Sequence, residues 1–227
     1  MNAAPRPVQG FARVLLAVVL SAVPLVAQQV QHGRLFRPED LVLLEQPDRE
    51  AWLRPELVMD ALRISEGRVV VDIGAGSGWF TIRLARRVGP NGRVYAEDVQ
   101  RQMIESIERR VEREQLRNVR TILGTDADPG LPPNSVDAVL IVDAYHEMEQ
   151  PVVLLRNVAR ALKPDGLIGI VNFTKKGHGP GPPMDERVDP ERVIADAGAA
   201  GLRLLDRPDF LPYQYMLVFG KQPAPAR

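Results

Sequence analysis

The chain of 227 residues has no cysteine, which excludes disulfides, thiolate metal sites, a cysteine nucleophile and a lipidated N-terminal cysteine together. Histidine is scarce, at positions 32, 146 and 178 only, and none sits in an HxxxH or similar spacing, so no bound metal is expected. An excess of charge is missing as well. Lys plus Arg and Asp plus Glu each number 29, which gives no basic surplus to suggest a nucleic-acid partner and no acidity to suggest disorder. What remains is the composition and length of one α/β domain able to bury its own core.

The chain also has little that could cross a membrane. Its most apolar stretch, residues 14–27, follows Arg6 and Arg13, contains Pro24 and gives way to Gln28-Gln29. A positive start, an apolar middle and a small final residue make a signal-peptide pattern, and the run is short against the ~20 residues of a membrane span. Residues 1–27 are therefore expected to be a leader cut after Ala27, although Leu25 is larger than the usual residue two positions earlier. The expected location is exported, periplasmic or extracellular. An uncleaved segment would be an N-terminal anchor, the one route to a membrane here, and a mis-assigned start would leave the chain cytoplasmic. Without residues 1–27 the chain carries 27 basic and 29 acidic residues, still near neutrality.

Against these absences stands one dense stretch, residues 69–78, with sequence Val-Val-Val-Asp-Ile-Gly-Ala-Gly-Ser-Gly. The β-branched run predicts a strand buried on both faces, and the glycines permit a sharp turn with close backbone approach to a ligand. Residues 79–88 continue at helical spacing, so the unit is strand, glycine loop, helix. A dinucleotide fingerprint would place its third glycine one residue later, and Trp79 stands where a dehydrogenase needs a small residue. This arrangement, Asp72 followed by Gly74-Ala75-Gly76-Ser77-Gly78, resembles motif I of the class I S-adenosylmethionine-dependent methyltransferases.

The resemblance covers roughly residues 49–221, with residues 28–48 expected to be an irregular segment and 222–227 a disordered tail. Asp48 is expected to cap a helix carrying Trp52, Leu53, Leu57, Val58, Ala61 and Leu62 on one stripe, bent near Pro55. A second strand, 93–96, ends at Glu97-Asp98. An acid there, about twenty residues past the glycine loop, is placed to accept hydrogen bonds from both ribose hydroxyls of a nucleoside cofactor, with Asp98 first and Glu97 as runner-up. Residues 100–115 form an amphipathic helix whose Met103, Ile104, Ile107 and Val111 are core. The third strand, 118–123, leads to the loop 124–128. There the family resemblance implies an acid for the adenine amino group, Asp126, with the backbone of Ala127 beside it and Asp128 as fallback.

The fourth strand, 136–142, ends in Asp143-Ala144-Tyr145-His146-Glu147. In a parallel sheet ligands bind outside the carboxyl ends of the strands, where the strand order reverses, so chemistry is expected at this cluster. His146 is the candidate base with Glu147 or Asp143 as its orienter, while a buttressing role for His146 on the helix near Gln150 stays open. A metal-assisted variant using Asp143 and Asn172 lacks part of the usual acid-acid-asparagine set. Lys163-Pro164-Asp165-Gly166 reads as a turn into a fifth strand, 167–173. The Gly/Pro-rich segment 174–189, with Lys175, Lys176, His178, Met184, Glu186 and Arg187, reads either as a substrate cover or as a solvated connector. Two closing strands, 202–205 and 214–219, complete what the resemblance implies: a Rossmann-like α/β sheet of order 3-2-1-4-5-7-6 with strand 7 antiparallel and helices on both faces.

The expected cofactor is thus S-adenosylmethionine, held by Asp72, Gly74, Ala75, Gly76, Gly78, Glu97, Asp98, Asp126, Ala127 and Asp143, and the expected partner a small-molecule methyl acceptor. Oligomeric state is not readable. Two rivals remain: a Rossmann dehydrogenase, and an exported non-catalytic domain that keeps the fold, since the cofactor is made in the cytoplasm.

Overall fold

The β-branched and aliphatic runs of the chain assemble into one seven-stranded sheet: β1 (Val69–Ile73), β2 (Arg93–Asp98), β3 (Val119–Leu123), β4 (Val136–Val142), β5 (Leu162–Phe173), β6 (Leu202–Asp206) and β7 (Gln214–Lys221). The structure, a computed structural model, describes Met1 and residues 35–222 apart from His178. Residues 2–34, on which the expected leader and His32 fall, His178 and the expected tail beyond Gln222 lie outside the described residues. Among those described, no helix is long and apolar enough to cross a membrane.

The strand order is 3-2-1-4-5-7-6. β1 pairs in parallel with both β2 and β4, and β7 runs antiparallel between β5 and β6. Val70, Val71, Val139, Leu140 and Ile141 lose all solvent contact. Helices cover both faces of the central strands, and for that reason their sequences are continuously apolar rather than alternating. One face packs against α1 (Arg49–Leu53), α2 (Pro55–Ala61), α3 (Trp79–Val88) and α4 (Arg101–Arg113), the other against α5 (Pro151–Ala161) and α6 (Pro190–Ala199).

Several local expectations are corrected. The helix after Asp48 is two short helices, because Arg54 takes a left-handed φ of 46° and Pro55 opens the second. Asp48 itself is αR and makes no side-chain cap bond. Leu53, Val58 and Leu62 are buried as expected, joined by Met59, but Leu57 faces solvent. Within the segment expected to be irregular, Pro38–Glu45 winds as a 3-10 helix. The Lys-Pro-Asp-Gly turn lies inside β5: Leu162 pairs with Val136 and Leu167 with Ala138, and the residues between bulge out. Leu162 is fully buried and stays in the sheet, whereas Pro164 has no N–H to give the ladder. A Cβ on Gly166 would come within 2.9 Å of the Leu162 side chain.

At the amino end of the central strands Asp137 ties three elements together. Its carboxylate accepts from Val69 N at 2.8 Å and from Lys163 Nζ at 2.9 Å to each oxygen, and forms a 3.1 Å bond with Arg68. Burial pushes its pKa up, but these donors outweigh it and the net shift is downward.

Candidate functional site

At the opposite, carboxyl end the chain leaves β1 through three glycines in left-handed conformation, Gly74, Gly76 and Gly78, with φ of 65°, 54° and 75°. Only glycine adopts this geometry without cost. A Cβ on Gly74 would also lie 2.5 Å from the Cβ of Ala144, so the walls of β1 and β4 close on each other here. The loop is pinned to β2: Ala75 N donates to Glu97 O at 2.9 Å and Gly76 N to Asp98 Oδ2 at 3.0 Å. Asp98 Oδ1 accepts from Gln100 N at 2.9 Å.

A cleft of about 970 Å³, open mouth included, lies over this loop at the ends of β1, β2 and β4. It brings together Asp72, Gly74, Ala75, Gly76, Glu97, Asp98, Asp126, Asp143 and Glu147 from the expected set, with Val99, Met103 and Leu154 as apolar walls. Two expected contacts are not among its lining residues. Gly78 instead caps α3, its N–H bonded to Ala75 O at 2.8 Å; Ala127 gives its carbonyl to Asn157 Nδ2. The fallback Asp128 turns its carboxylate onto Gly130 N.

The acids in the cleft are poorly compensated. Burial raises Asp72 to about 7 against the opposing hydrogen bond from Thr81, and raises Glu97 to about 8 with Asp98 adding to the effect. Burial likewise raises Asp98, Asp143 to about 6 and Glu147 to about 7. Buried carboxylates that line a cleft and keep lone pairs beyond those their protein donors occupy can accept bonds from a ligand.

A strap crosses the mouth. Phe36 N donates to Glu147 Oε2 at 2.9 Å, Gln100 Nε2 donates to Phe36 O at 3.0 Å, and Leu35 and Phe36 line the cleft between these two anchors.

Next to the cleft is a second cavity lined by Trp52, His146, Phe173, Pro180, Pro182 and Pro183, and sharing Phe36, Arg49, Asp143 and Glu147 with the first. Trp52 and Phe173 stand 5.9 Å apart between ring centroids. His146 faces this second cavity, on its own 3-10 turn, Tyr145–Glu147, rather than as a cap on α5. Its Nε2 is 3.7 Å from Glu147 Oε1. Burial lowers its pKa, against a raising contact from Asn172, so the imidazole is neutral at pH 7. The 174–189 segment is no loose connector: Arg187 is buried and donates to the carbonyls of Thr174, Pro180 and Pro182, which folds the loop over the second cavity. Lys175 pairs with Asp189 and Met184 is exposed.

Sequence reasoning missed Arg49. It opens α1, is buried, stands 3.6 Å from Asp143 Oδ2 and 4.8 Å from the Trp79 ring, and lines both cavities. A helix-opening arginine after an acid reads as solvated surface, and only the fold turns it inward. Gln214, which donates to Asp143 Oδ1 at 2.6 Å, was hidden in a strand start.

The fold and its cleft define a nucleoside-cofactor protein of the Rossmann-like type. A methyltransferase-domain family model matches residues 70–166. A demethylmenaquinone methyltransferase from a Geobacillus species is 31% identical over 113 residues, 50% of this chain and 48% of the relative. A ubiquinone/menaquinone biosynthesis C-methyltransferase from Pasteurella multocida is 31% identical over 131 residues, 55% and 46% of the two. The match thus spans about half the length of these curated relatives. The crystal structure of a SAM-dependent methyltransferase from Aquifex aeolicus superposes with a TM-score of 0.78 at 29% identity, over 82% of this chain and 98% of the other. Residues 70–166 thus carry a methyltransferase domain, within a fold shared with S-adenosylmethionine-dependent methyltransferases. The cleft fits S-adenosylmethionine: a glycine loop for close approach, buried acids at the end of β2, apolar walls for a base, and a buried Ser77 Oγ with no partner among the described residues at the loop.

Proposed function

We propose that the protein transfers a methyl group from S-adenosylmethionine to a small apolar acceptor bearing a hydroxylated ring, of the quinol kind. The observation that carries this reading is that the cofactor cleft shares four lining residues, Phe36, Arg49, Asp143 and Glu147, with an aromatic and proline-lined cavity beside it. The names of the curated relatives, which act in menaquinone and ubiquinone formation, and the near-neutral charge of the chain support it.

When bound, the cofactor supplies an activated methyl group on its sulfonium. Asp98 takes the ribose, since its carboxylate sits at the loop; Glu97 is turned beneath Gly124, whose added Cβ would fall 1.7 Å from its Oε1. Asp126 holds the adenine edge and Asp72 supports the loop from below through Thr81. Trp52 and Phe173 orient the acceptor ring, and holding it in line contributes roughly 7–11 kcal/mol. The Phe36 strap and the Arg187 loop keep water out. His146 accepts the hydroxyl proton, a contribution of roughly a hundred- to ten-thousandfold, while Glu147 and Asp143 flank it on the shared wall.

Isothermal titration of the full chain with S-adenosylhomocysteine tests the cofactor half: one-to-one binding is expected, and a folded protein that binds none overturns the reading. Incubation with labelled S-adenosylmethionine and a reduced short-chain demethylnaphthoquinone tests the acceptor. Label should appear on the ring, and should fall by roughly a hundredfold or more in His146→Ala with homocysteine-ligand affinity unchanged. Binding without transfer to any quinol would remove the acceptor class and leave the cofactor assignment standing.

A further inference from the structure

Among the described residues the cleft over the glycine loop is lined by Asp72, Glu97, Asp98, Asp126, Asp143 and Glu147, and by a single cationic side chain, Arg49. S-Adenosylmethionine carries charge in the opposite sense. Its sulfonium and α-ammonium are positive, its nucleoside is neutral, and its α-carboxylate is its one anionic group. An ionised acid repels that carboxylate, and the guanidinium is the one full positive charge the cleft offers it. Complementary charges set the orientation of a bound molecule, so the place of Arg49 marks where the amino-acid end of the cofactor lies.

That place is well defined. Arg49 is 8% exposed, its guanidinium carbon is 4.8 Å from the centre of the Trp79 ring at the start of α3, and its Nη2 stands 3.6 Å from Asp143 Oδ2. Asp143 is fixed in turn. Its backbone takes a left-handed φ of 55°, uncommon outside glycine, while its N donates to Val171 O at 2.9 Å and its Oδ1 accepts from Gln214 Nε2 at 2.6 Å. The second oxygen, Oδ2, is the one beside Arg49. A cation and an anion this close on one wall are the complement of an amino-acid zwitterion, whose ammonium and carboxylate share one carbon. Strand order puts the pair where the tail of a nucleoside must end. Asp98 closes β2 and Asp143 follows β4, on either side of β1, two strand spacings or roughly 10 Å apart. A nucleoside seated at β2 therefore carries its tail across the glycine loop to β4.

We infer that the Arg49–Asp143 pair reads the amino-acid end of the cofactor, with the guanidinium taking the α-carboxylate and Asp143 Oδ2 the α-ammonium, so that Arg49 selects a cofactor that keeps its carboxylate. This rests on the cofactor half of the proposed function. Calorimetry on the full chain at pH 7 tests it with two ligands: S-adenosylhomocysteine, and the aminopropyl thioether of adenosine, which is the same molecule without its carboxylate. The wild type should bind the first about ten- to a hundredfold more tightly, the worth of a charge-assisted contact. Arg49→Met keeps an unbranched stem. It should bind the first ligand about ten- to a hundredfold more weakly and the second no worse, so that the preference disappears. A merely structural role would weaken both ligands together, and that result overturns the inference. Should Arg49→Met fail to fold, Arg49→Gln keeps a polar head with N–H donors and removes the charge; its preference should fall by roughly tenfold, and an undiminished preference overturns the inference. A wild type that binds both ligands alike strikes this inference alone, whereas a folded wild type that binds neither strikes the cofactor reading and this inference with it.

Discussion

The two ends of the central strands treat their acids in opposite ways. At the amino end Asp137 receives Val69 N, Lys163 and Arg68 and is held below its ordinary pKa. At the carboxyl end Asp72, Glu97, Asp98, Asp143 and Glu147 are buried with fewer donors than lone pairs, and every one is pushed upward. The first acid joins β1, β4 and β5 and contributes stability. The second group costs stability in the free protein and lines the cleft. Satisfied and unsatisfied acids on one sheet thus separate the part that holds the fold from the part that works.

Replacing Gly74 should have the largest effect. Gly74→Ala meets both a left-handed φ, roughly 1–2 kcal/mol, and overpacking against Ala144, roughly 1–3 kcal/mol; a denaturant melt should show their combined loss. Asp98→Ala comes next and tests the working end: loss of a charge-assisted bond of about 1.5–3 kcal/mol should weaken S-adenosylhomocysteine binding by about ten- to a hundredfold in calorimetry, and the melting temperature should fall as well because Gly76 N and Gln100 N lose their acceptor. Asp137→Ala separates the two quantities. It leaves Val69 N without its acceptor, which should cost roughly 1–3 kcal/mol of stability while ligand affinity holds. If both variants move both quantities equally, the separation of the two ends fails.

The pH dependence follows from the same contrast. Asp72 at about 7, Glu97 at about 8, Glu147 at about 7 and Asp143 at about 6 bind protons more tightly folded than unfolded. Their contribution is complete below their unfolded values of about 4 and is lost as pH rises through those folded values. Asp137 acts in reverse, contributing above about pH 4 and failing as pH falls through its depressed folded value. The ligand-free protein should therefore melt at lower temperature at pH 8 than at pH 5, and a flat or rising profile would count against the assignment. The smallest effect sharpens it: Glu97→Gln should raise the melting temperature at pH 9 and leave it unaltered at pH 5.

Much of this was legible in the chain. The buried strands 69–73 and 136–142 are written as apolar runs broken only by Asp72 and Asp137, the glycine loop follows directly, and Asp98 and Asp126 come at or just past the ends of the next two strands; all of these are local patterns. What escaped depends on contacts between distant residues. Arg49 looks like the solvated start of a helix until α1 turns it toward Asp143 and Trp79. Arg187 looks like one more loop charge until three carbonyls close on it. Lys163 to Gly166 reads as a turn in any alignment of patterns, and only the pairing of Leu162 with Val136 shows that the strand has already begun. Gly78 and Ala127, assigned by motif position, do not line the cleft, because adjacency in a motif does not give adjacency to a cleft.

The contact between Gly74 and Ala144 has a bearing on descent. The absence of a side chain at position 74 is demanded by the meeting of β1 and β4 as much as by any molecule resting above it. A lineage that abandoned methyl transfer would still be compelled to keep that glycine in order to fold. The residue most readily taken as the signature of an active enzyme is therefore a witness to architecture.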